Sequence, residues 1–199
     1  PETGGLRPYE ITWVRSQDGG HTWSPERVVP TSVERGVPTT PSGILALADG
    51  AWFLPVEVWK CWDDPSPLRI STFGLCSSDE GATWDDRIAF PELAGRMYSH
   101  GRYTPMSDGT IAATVWTQAE GTLADLNLHL IRSDATGRRW SAPTATGLAA
   151  QTSWLADVGD GRMAVIYTVR AGMVPGIYLA LLEDPHQPLF LWDAVWQSF

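Results

Sequence analysis

The stretch SQDGGHTW, residues 16–23, returns as SSDEGATW at residues 77–84 and, in altered form, as SDATGRRW at residues 133–140. Ser, Gly and Trp keep the same places in all three copies. The copies follow one another at intervals of about 60 residues, a period typical of stacked or radially arranged supersecondary units. The repeat therefore predicts a chain built from several copies of one small structural unit.

A second repeat runs in phase with the first. Asp-Gly pairs occur at residues 49–50, 108–109 and 160–161, each between two short apolar runs, which is a strong signal for a β-hairpin. A third apolar run leads into the Ser-to-Trp stretch, as in LRISTFGLCSSDEGATW at residues 68–84, and a fourth follows it. No segment shows helical periodicity over a useful length. The sequence therefore predicts an all-β fold, a β-propeller of four-stranded antiparallel blades.

The repeated stretch also has a local explanation as a turn between the third and fourth strands. Its Asp can accept hydrogen bonds from backbone N–H groups of the same turn, and its Gly can adopt positive φ. Ser and Thr hydroxyls can tie the ends of the turn, and Trp can fold back onto the blade. The third copy has Ala135 where the other copies have Asp, with Asp134 one place earlier, which predicts a weakened or rearranged turn.

Residues 16–23 and 77–84 resemble the Asp boxes, or BNR repeats, of the sialidase-like β-propellers. The resemblance implies about three to three and a half blades in this chain, half of a six-bladed ring. It divides the single partial propeller of residues 1–199 into four parts: 1–30, the outer strands of a blade with its Asp box; 31–90 and 91–146, two blades; and 147–199, a last blade that is partly complete.

Two sources for the remaining blades are open at this point. A second copy of the chain would form a homodimer that completes the ring and covers exposed strand edges. Alternatively, the missing blades come from another chain segment.

Composition excludes several partners and cofactors. The formal net charge is −9 with only 14 Lys and Arg, which argues against nucleic acid, because that partner requires clustered basic residues. No apolar run approaches the ~20 residues of a membrane-spanning helix, so we expect no membrane partner. The four His are scattered and only two Cys occur, so neither a metal site nor any other cofactor is predicted. Localisation stays open, with a secreted or periplasmic protein as one option.

The functional face is predicted from the alternation of strands. If the Asp-Gly turns and the Asp boxes share one face, the loops between second and third strands and between blades lie on the opposite face. Those loops, with the adjoining strand ends, contain two groups of candidates. The substrate-binding candidates are Arg35, Arg96, Arg102, Glu120 and Arg170, and the catalytic candidates are Glu57, Asp63, Asp64, Tyr98 and Tyr103.

The resemblance to sialidases implies a role for each group. Arginines would bind the carboxylate of an acidic terminal sugar, because a planar guanidinium matches a carboxylate bidentately. Tyr103 or Tyr98 would be the nucleophile, with Glu57 as its base, since tyrosine is the nucleophile that distinguishes sialidases among glycosidases. Asp63 or Asp64 would be the acid/base, unless both only serve the turn in WDDPSP.

Two functions remain open from the sequence. One is a sialidase-like, exo-acting, retaining glycoside hydrolase without a cofactor, or a remnant of one. The other is a non-catalytic Asp-box propeller that binds glycan or protein on its loop face. The Arg-Ile-Pro signature that usually supplies the first sialidase arginine does not occur in these 199 residues, which favours the second. Carbohydrate is the expected partner in the first case.

Overall fold

The computed structural model describes residues 4–84, 86–170, 174–184 and 187–197. Within these residues the secondary structure consists of β-strands, turns and irregular segments, with no helix. The strands are β1 (Thr12–Trp13), β2 (Arg27–Val28), β3 (Val37–Thr39), β4 (Leu45–Ala46), β5 (Trp52–Trp59), β6 (Ser71–Ser77), β7 (Asp86–Ala89), β8 (Arg96–Pro105), β9 (Ile111–Ala119), β10 (His129–Arg132), β11 (Thr144–Ala145), β12 (Ser153–Gly159), β13 (Arg162–Val169), β14 (Gly176–Asp184) and β15 (Gln187–Gln197).

These strands form four antiparallel sheets in which neighbours along the chain are neighbours in space. β1 pairs with β2, and β3, β5, β6 and β7 follow one another in sheet A, where β4 also pairs with β5. Sheet B has the order β8, β9, β10, β11, and sheet C has the order β12, β13, β14, β15. This up-and-down order is that of propeller blades. The predicted all-β fold of four-stranded antiparallel blades is confirmed, while the number of blades in a complete ring stays a prediction.

The sheets pack face to face through apolar clusters. Between sheets A and B lies an aromatic cluster in which Phe53 stacks on Trp140 at 5.6 Å between ring centroids, and Phe90 meets Trp140 edge-on at 4.9 Å. Between sheets B and C the cluster is mainly aliphatic and includes Leu128 and Met163, both 0% exposed. Burial of this apolar surface holds neighbouring blades together.

The two intact Asp boxes make the same hydrogen bonds. In the box at residues 77–84, Asp79 accepts hydrogen bonds from the Thr83 backbone N–H at 2.8 Å and the Thr83 hydroxyl at 2.7 Å. The Ser77 hydroxyl donates to Asp79 at 2.8 Å and accepts from the Gly81 N–H at 2.8 Å. The box at residues 16–23 repeats each of these contacts at distances of 2.6–2.9 Å. The box is therefore a self-contained turn.

The third box is rearranged. Asp134, one position earlier than the Asp of the other boxes, is the acceptor here. It accepts hydrogen bonds from the Thr136 N–H at 3.0 Å and the Thr136 hydroxyl at 2.6 Å. Its Trp140 still donates from Nε1 to a Gly carbonyl at 3.1 Å, as Trp23 does in the first box. The Trp side chains differ in burial, however, because Trp140 is 9% exposed and Trp23 is 60% exposed. Only Trp140 joins the cluster between sheets A and B.

Replacement of Asp79 by Ala is expected to lower the melting temperature. Hydrogen bonds from Thr83 and Ser77 lower the pKa of Asp79 to about 2. The stabilisation by this carboxylate is therefore present above the ordinary Asp pKa and lost as pH falls through about 2. Thermal unfolding of Asp79→Ala and the wild type from pH 6 down to pH 2 tests this, and the difference should shrink at the acidic end.

Ser78→Ala is the matched control for this prediction. Ser78 lies in the same turn and is exposed, and no hydrogen bond of its side chain contributes to the box. Its melting temperature should equal that of the wild type. Equal melting temperatures of the Asp79 and Ser78 variants at pH 6 would contradict a stabilising role of the box.

Candidate functional site

The Asp-Gly turns and the Asp boxes lie on one face of the sheets. Arg138 in the third box forms an ion pair with Asp49 of the first Asp-Gly turn at 3.2 Å. Arg132, beside the same box, pairs with Asp108 of the second turn at 3.3 Å. β5, β9 and β13 each begin just after an Asp-Gly turn, so their far ends reach the opposite face. The candidate residues near those ends belong to that face.

On this opposite face, charged and aromatic side chains from all three sheets meet near the inner strand β8. We call this group the inner cluster. It comprises Glu57 and Trp59 of sheet A, His100, Arg102 and Trp116 of sheet B, and Arg170 directly after β13 of sheet C.

A β-bulge in β8 shapes the centre of the inner cluster. The pairing of β8 with β9 shifts register between Ser99 and Arg102, and His100 within the bulge has a φ of +50°. The bulge directs the Gly101 N–H towards sheet A, where it donates to Glu57 Oε1 at 3.3 Å. A Cβ on Gly101 would lie 2.7 Å from the Tyr103 ring, so the close approach requires glycine.

Glu57 is a buried carboxyl with few partners. Its side chain is 2% exposed and accepts one further hydrogen bond, from Trp59 Nε1 at 3.3 Å. Burial raises the pKa of Glu57 to about 7, while the hydrogen bonds from Gly101 and Trp59 and the nearby Arg102 charge oppose this shift. A carboxyl with such a pKa can exchange a proton near neutral pH, as a general acid or base requires.

Aromatic rings surround the two arginines of the inner cluster. His100 stacks on Trp116 with 5.5 Å between ring centroids, and the Arg170 guanidinium lies 5.4 Å from the centroid of Trp116. Arg102 lies 5.8 Å from the ring centroid of Trp154 on β12. Burial and both arginine charges lower the pKa of His100, so its imidazole is neutral at neutral pH. In the described part of the chain neither arginine forms an ion pair, so both guanidinium groups retain donors for a ligand.

A hydrogen-bond network behind the inner cluster holds Trp116 and Arg170 in place. Asp125 accepts from Trp116 Nε1 at 2.9 Å and from Gln151 Nε2 at 2.8 Å. Gln151 Oε1 in turn accepts from the Arg170 backbone N–H at 2.9 Å. Asp125 and Gln151 could not be predicted from the sequence, because they lie in different loops and carry no motif that would link them.

Three predicted site residues line a separate cavity on the same face, between sheets A and B. Arg96, Tyr98 and Glu120 border this space of about 270 Å³ together with Arg69, Thr72 and Glu92. We call it the rim cavity. On the sheet A side it is lined at the start of β6, and β6 is the third strand of that sheet counted from the inner strand β3. The structure therefore separates these three predicted site residues from the inner cluster.

Tyr103 lies in the aromatic core instead of at the surface. It is 6% exposed and packs against Phe53, Phe90 and Trp140. Burial and the Glu57 charge raise its pKa well above the ordinary value for tyrosine. Little of this side chain is exposed, but its hydroxyl lies beside Gly101 of the β8 bulge, so the nucleophilic role of Tyr103 stays a prediction.

The remaining predicted residues lie outside the inner cluster. Arg35 is exposed just before β3, and Asp63 is exposed in the loop after β5. Asp64 accepts a hydrogen bond from the Ser66 backbone N–H at 2.9 Å, so it stabilises its own turn. Among the residues that the structure describes, none of these three has a hydrogen bond or ion pair to a member of the inner cluster.

Tyr9 is an exposed tyrosine on which the Glu57 charge acts, and sequence reasoning did not single it out. The segment before it runs beside the end of β5, where the Leu6 N–H donates to the Lys60 carbonyl at 3.0 Å. Tyr9 is 49% exposed, and its pKa is raised by burial and by the Glu57 charge. The residue lies in an irregular stretch without a motif, so only the fold reveals the effect of the Glu57 charge on it.

The described residues contain neither a metal cluster nor a membrane-spanning helix. Three or more His, Cys, Asp or Glu side chains do not come together as a metal site anywhere in the described ranges. Over the same ranges, the structure contains no helix of the length and apolar character needed to cross a membrane.

Comparisons with known proteins give one family match and two similar structures. Residues 1–175 match the BNR repeat-like domain family. A Dyadobacter fermentans protein of unknown function superposes with a TM-score of 0.70 at 19% identity, over 94% of this chain and 55% of that protein. The Hadza microbial sialidase Hz136 superposes with a TM-score of 0.63 at 16% identity, over 96% of this chain and 40% of the sialidase. A search of curated proteins finds no match.

The chain thus spans about half the length of the structures that it resembles. At these identities the superpositions show the fold, which is that of a sialidase-like propeller. The match to the family covers most of the chain and includes both intact Asp boxes. The chain belongs to the BNR repeat-like domain family, within the sialidase-like β-propellers.

Proposed function

We propose that the inner cluster binds an acidic terminal sugar and that the protein is a sialidase-like glycoside hydrolase. One observation carries the proposal: Arg102 and Arg170, neither in an ion pair within the described ranges, both lie near His100, and Arg102 also lies near the buried carboxyl of Glu57. Two planar guanidinium groups suit the carboxylate of such a sugar. The Trp154 ring beside Arg102, which is 61% exposed, offers an apolar surface to the sugar ring.

Glu57 and Tyr9 supply the chemistry in this proposal. Ionised Glu57 accepts the proton of the Tyr9 phenol while the phenol oxygen attacks the anomeric carbon. The bond to the leaving alcohol breaks, and that oxygen receives a proton from solvent. Water then hydrolyses the glycosyl-tyrosine and the configuration is retained. Tyr9 takes the nucleophilic role because its side chain is exposed, whereas Tyr98 and Tyr103 are buried.

Binding of glycan without turnover is the second candidate. The burial of Tyr98 and Tyr103 favours it, since both predicted nucleophiles offer little exposed surface to a ligand. In this case the arginines bind the acidic sugar as described, and no bond is broken. The same face would then serve recognition alone.

Completion of the ring is part of the proposal. The two similar structures are about twice as long as this chain, and we propose that a second copy supplies the remaining blades. Light scattering during size-exclusion chromatography should then give twice the 21.8 kDa of one chain. A mass of 21.8 kDa would contradict the homodimer and assign the remaining blades to a further chain segment.

Arg102→Gln is expected to lower kcat/KM for an aryl glycoside of N-acetylneuraminic acid by about 10- to 100-fold, because a hydrogen bond to a charged group contributes roughly 1.5–3 kcal/mol. Arg162→Gln is the matched control, since Arg162 lies beside the third Asp-Gly turn on the other face. Binding that depends on Arg102 without turnover by the wild type would select the second candidate. If the wild type shows no binding and no turnover, both candidate functions are wrong.

A further inference from the structure

We propose that the rim cavity is a second carbohydrate site, which binds one hexuronate-sized acidic sugar independently of the inner cluster. Its volume of about 270 Å³ suits a single sugar ring better than an extended ligand. No member of the inner cluster lines it. The site therefore does not require that the protein be a hydrolase.

The position of the rim cavity separates it from the inner cluster. Arg69 lines it from the segment before β6 and Thr72 from the start of β6, while Arg96 and Tyr98 line it from the first residues of β8. Thr72 pairs with Glu57 across β5 and β6, so the cavity begins one strand further out than the buried carboxyl. A glycan that occupied both the inner cluster and the rim cavity would lie across sheets A and B on the face opposite the Asp-Gly turns.

The charged side chains of the rim cavity form no ion pairs among the residues that the structure describes. Arg69 and Arg96 are exposed, and within the described residues neither forms an ion pair. Glu92 and Glu120 are also exposed and free of ion pairs there. The two guanidinium groups can bind a carboxylate, and the two carboxylates can accept hydrogen bonds from sugar hydroxyls.

Tyr98 gives an independent indication of a missing partner. Its side chain is 6% exposed and lines the cavity, and its hydroxyl is buried without a hydrogen-bond partner. Most buried polar atoms in proteins have such a partner. Burial raises the pKa of this phenol, while the nearby Leu93 N–H and Arg96 lower it. A sugar hydroxyl in the cavity would supply the partner.

The apolar part of the lining also suits a sugar. Ile70 is 6% exposed and Leu93 is half-buried, and both line the cavity beside the charged groups. Sugars present C–H groups on one face and hydroxyls around the edge, so a site with both kinds of surface can hold the ring in one orientation.

The test is calorimetric titration of glucuronate, with glucose as the neutral probe, into the Arg102→Gln protein. This background weakens the inner cluster, so the remaining binding reports on the rim cavity. We expect glucuronate to bind, its Kd to rise about tenfold or more in Arg102→Gln/Arg96→Gln, and to rise several-fold in Arg102→Gln/Tyr98→Phe. Arg102→Gln/Arg162→Gln is the control and should bind as Arg102→Gln does.

Three outcomes would overturn the proposal. The first is an absence of glucuronate binding in the Arg102→Gln background. The second is binding that neither Arg96→Gln nor Tyr98→Phe weakens; Tyr98→Phe removes only a hydroxyl, so it keeps the fold. The third is glucose binding as tight as glucuronate binding, because the arginines would then have no role. If Arg102→Gln loses turnover but still binds glucuronate, the rim cavity binds sugar independently of the proposed hydrolase site in the inner cluster.

Discussion

Phe53→Ala is expected to lower the free energy of unfolding by about 3–5 kcal/mol, the usual cost of removing a buried aromatic ring. Phe53 is 0% exposed and lies at the centre of the cluster that joins sheets A and B. It stacks on Trp140 at 5.6 Å and meets Tyr103 at 6.0 Å and Phe90 at 6.3 Å between ring centroids. Its removal would leave a cavity that three large rings cannot fill without moving.

Urea denaturation of Phe53→Ala and the wild type measures this effect. Val158→Ala is the control, because Val158 is 46% exposed on β12 and its truncation leaves no cavity. We expect the control to differ from the wild type by less than about 0.5 kcal/mol. A loss below about 1 kcal/mol in Phe53→Ala would mean that sheets A and B do not depend on this cluster.

Glu57 is expected to make the protein less stable as pH rises from about 4.5 to about 7. Burial raises the folded-state pKa to about 7 from an ordinary 4.5. In this interval the unfolded chain has lost the proton while the folded chain retains it, so stability falls with pH and becomes level above 7. The loss due to Glu57 is about 3 kcal/mol.

Glu57→Gln should remove this pH dependence. Gly101 and Trp59 donate to different oxygens of Glu57, so the single amide oxygen can keep one of the two hydrogen bonds, and the amide does not ionise. Urea denaturation of both proteins at pH 4.5, 6 and 8 isolates the effect, because other titrating groups cancel in the difference. The variant should gain stability relative to the wild type between pH 4.5 and 8. A difference that stays constant over this range would show that Glu57 is ionised and solvated in the folded protein.

Part of the candidate site could be predicted from residue types and their position in the blade. Arg102 and Arg170 were expected near the inner strands on the loop face, and both belong to the inner cluster. Glu57 was expected there as well, although nothing local indicated that it would be buried at 2% exposure. A strand pattern predicts which face a side chain occupies, but not what the next sheet places against it.

The tyrosines illustrate why the rest of the site could not be predicted. Tyr98 and Tyr103 are on the same strand as Arg102, and their sequence positions are as suitable for a nucleophile as any. The bulge at His100 and Gly101 changes the side-chain alternation between them, and packing against sheet A buries Tyr103. Tyr9 became a candidate only because the segment before it lies beside β5 in space.

The sequence alone determined the repeating unit, because the contacts that define it are local. Asp79 and Thr83 are 4 residues apart, and an Asp-Gly turn joins adjacent strands. A short stretch of sequence therefore contains all the hydrogen-bonding groups of each turn. The site depends on contacts between sheets. Gly101 donates to Glu57 across 44 residues, and Gln151 donates to Asp125 across 26. Only the packing of one blade on the next brings such groups together, and it also decides which carboxyl is buried and which arginines remain free to bind a ligand.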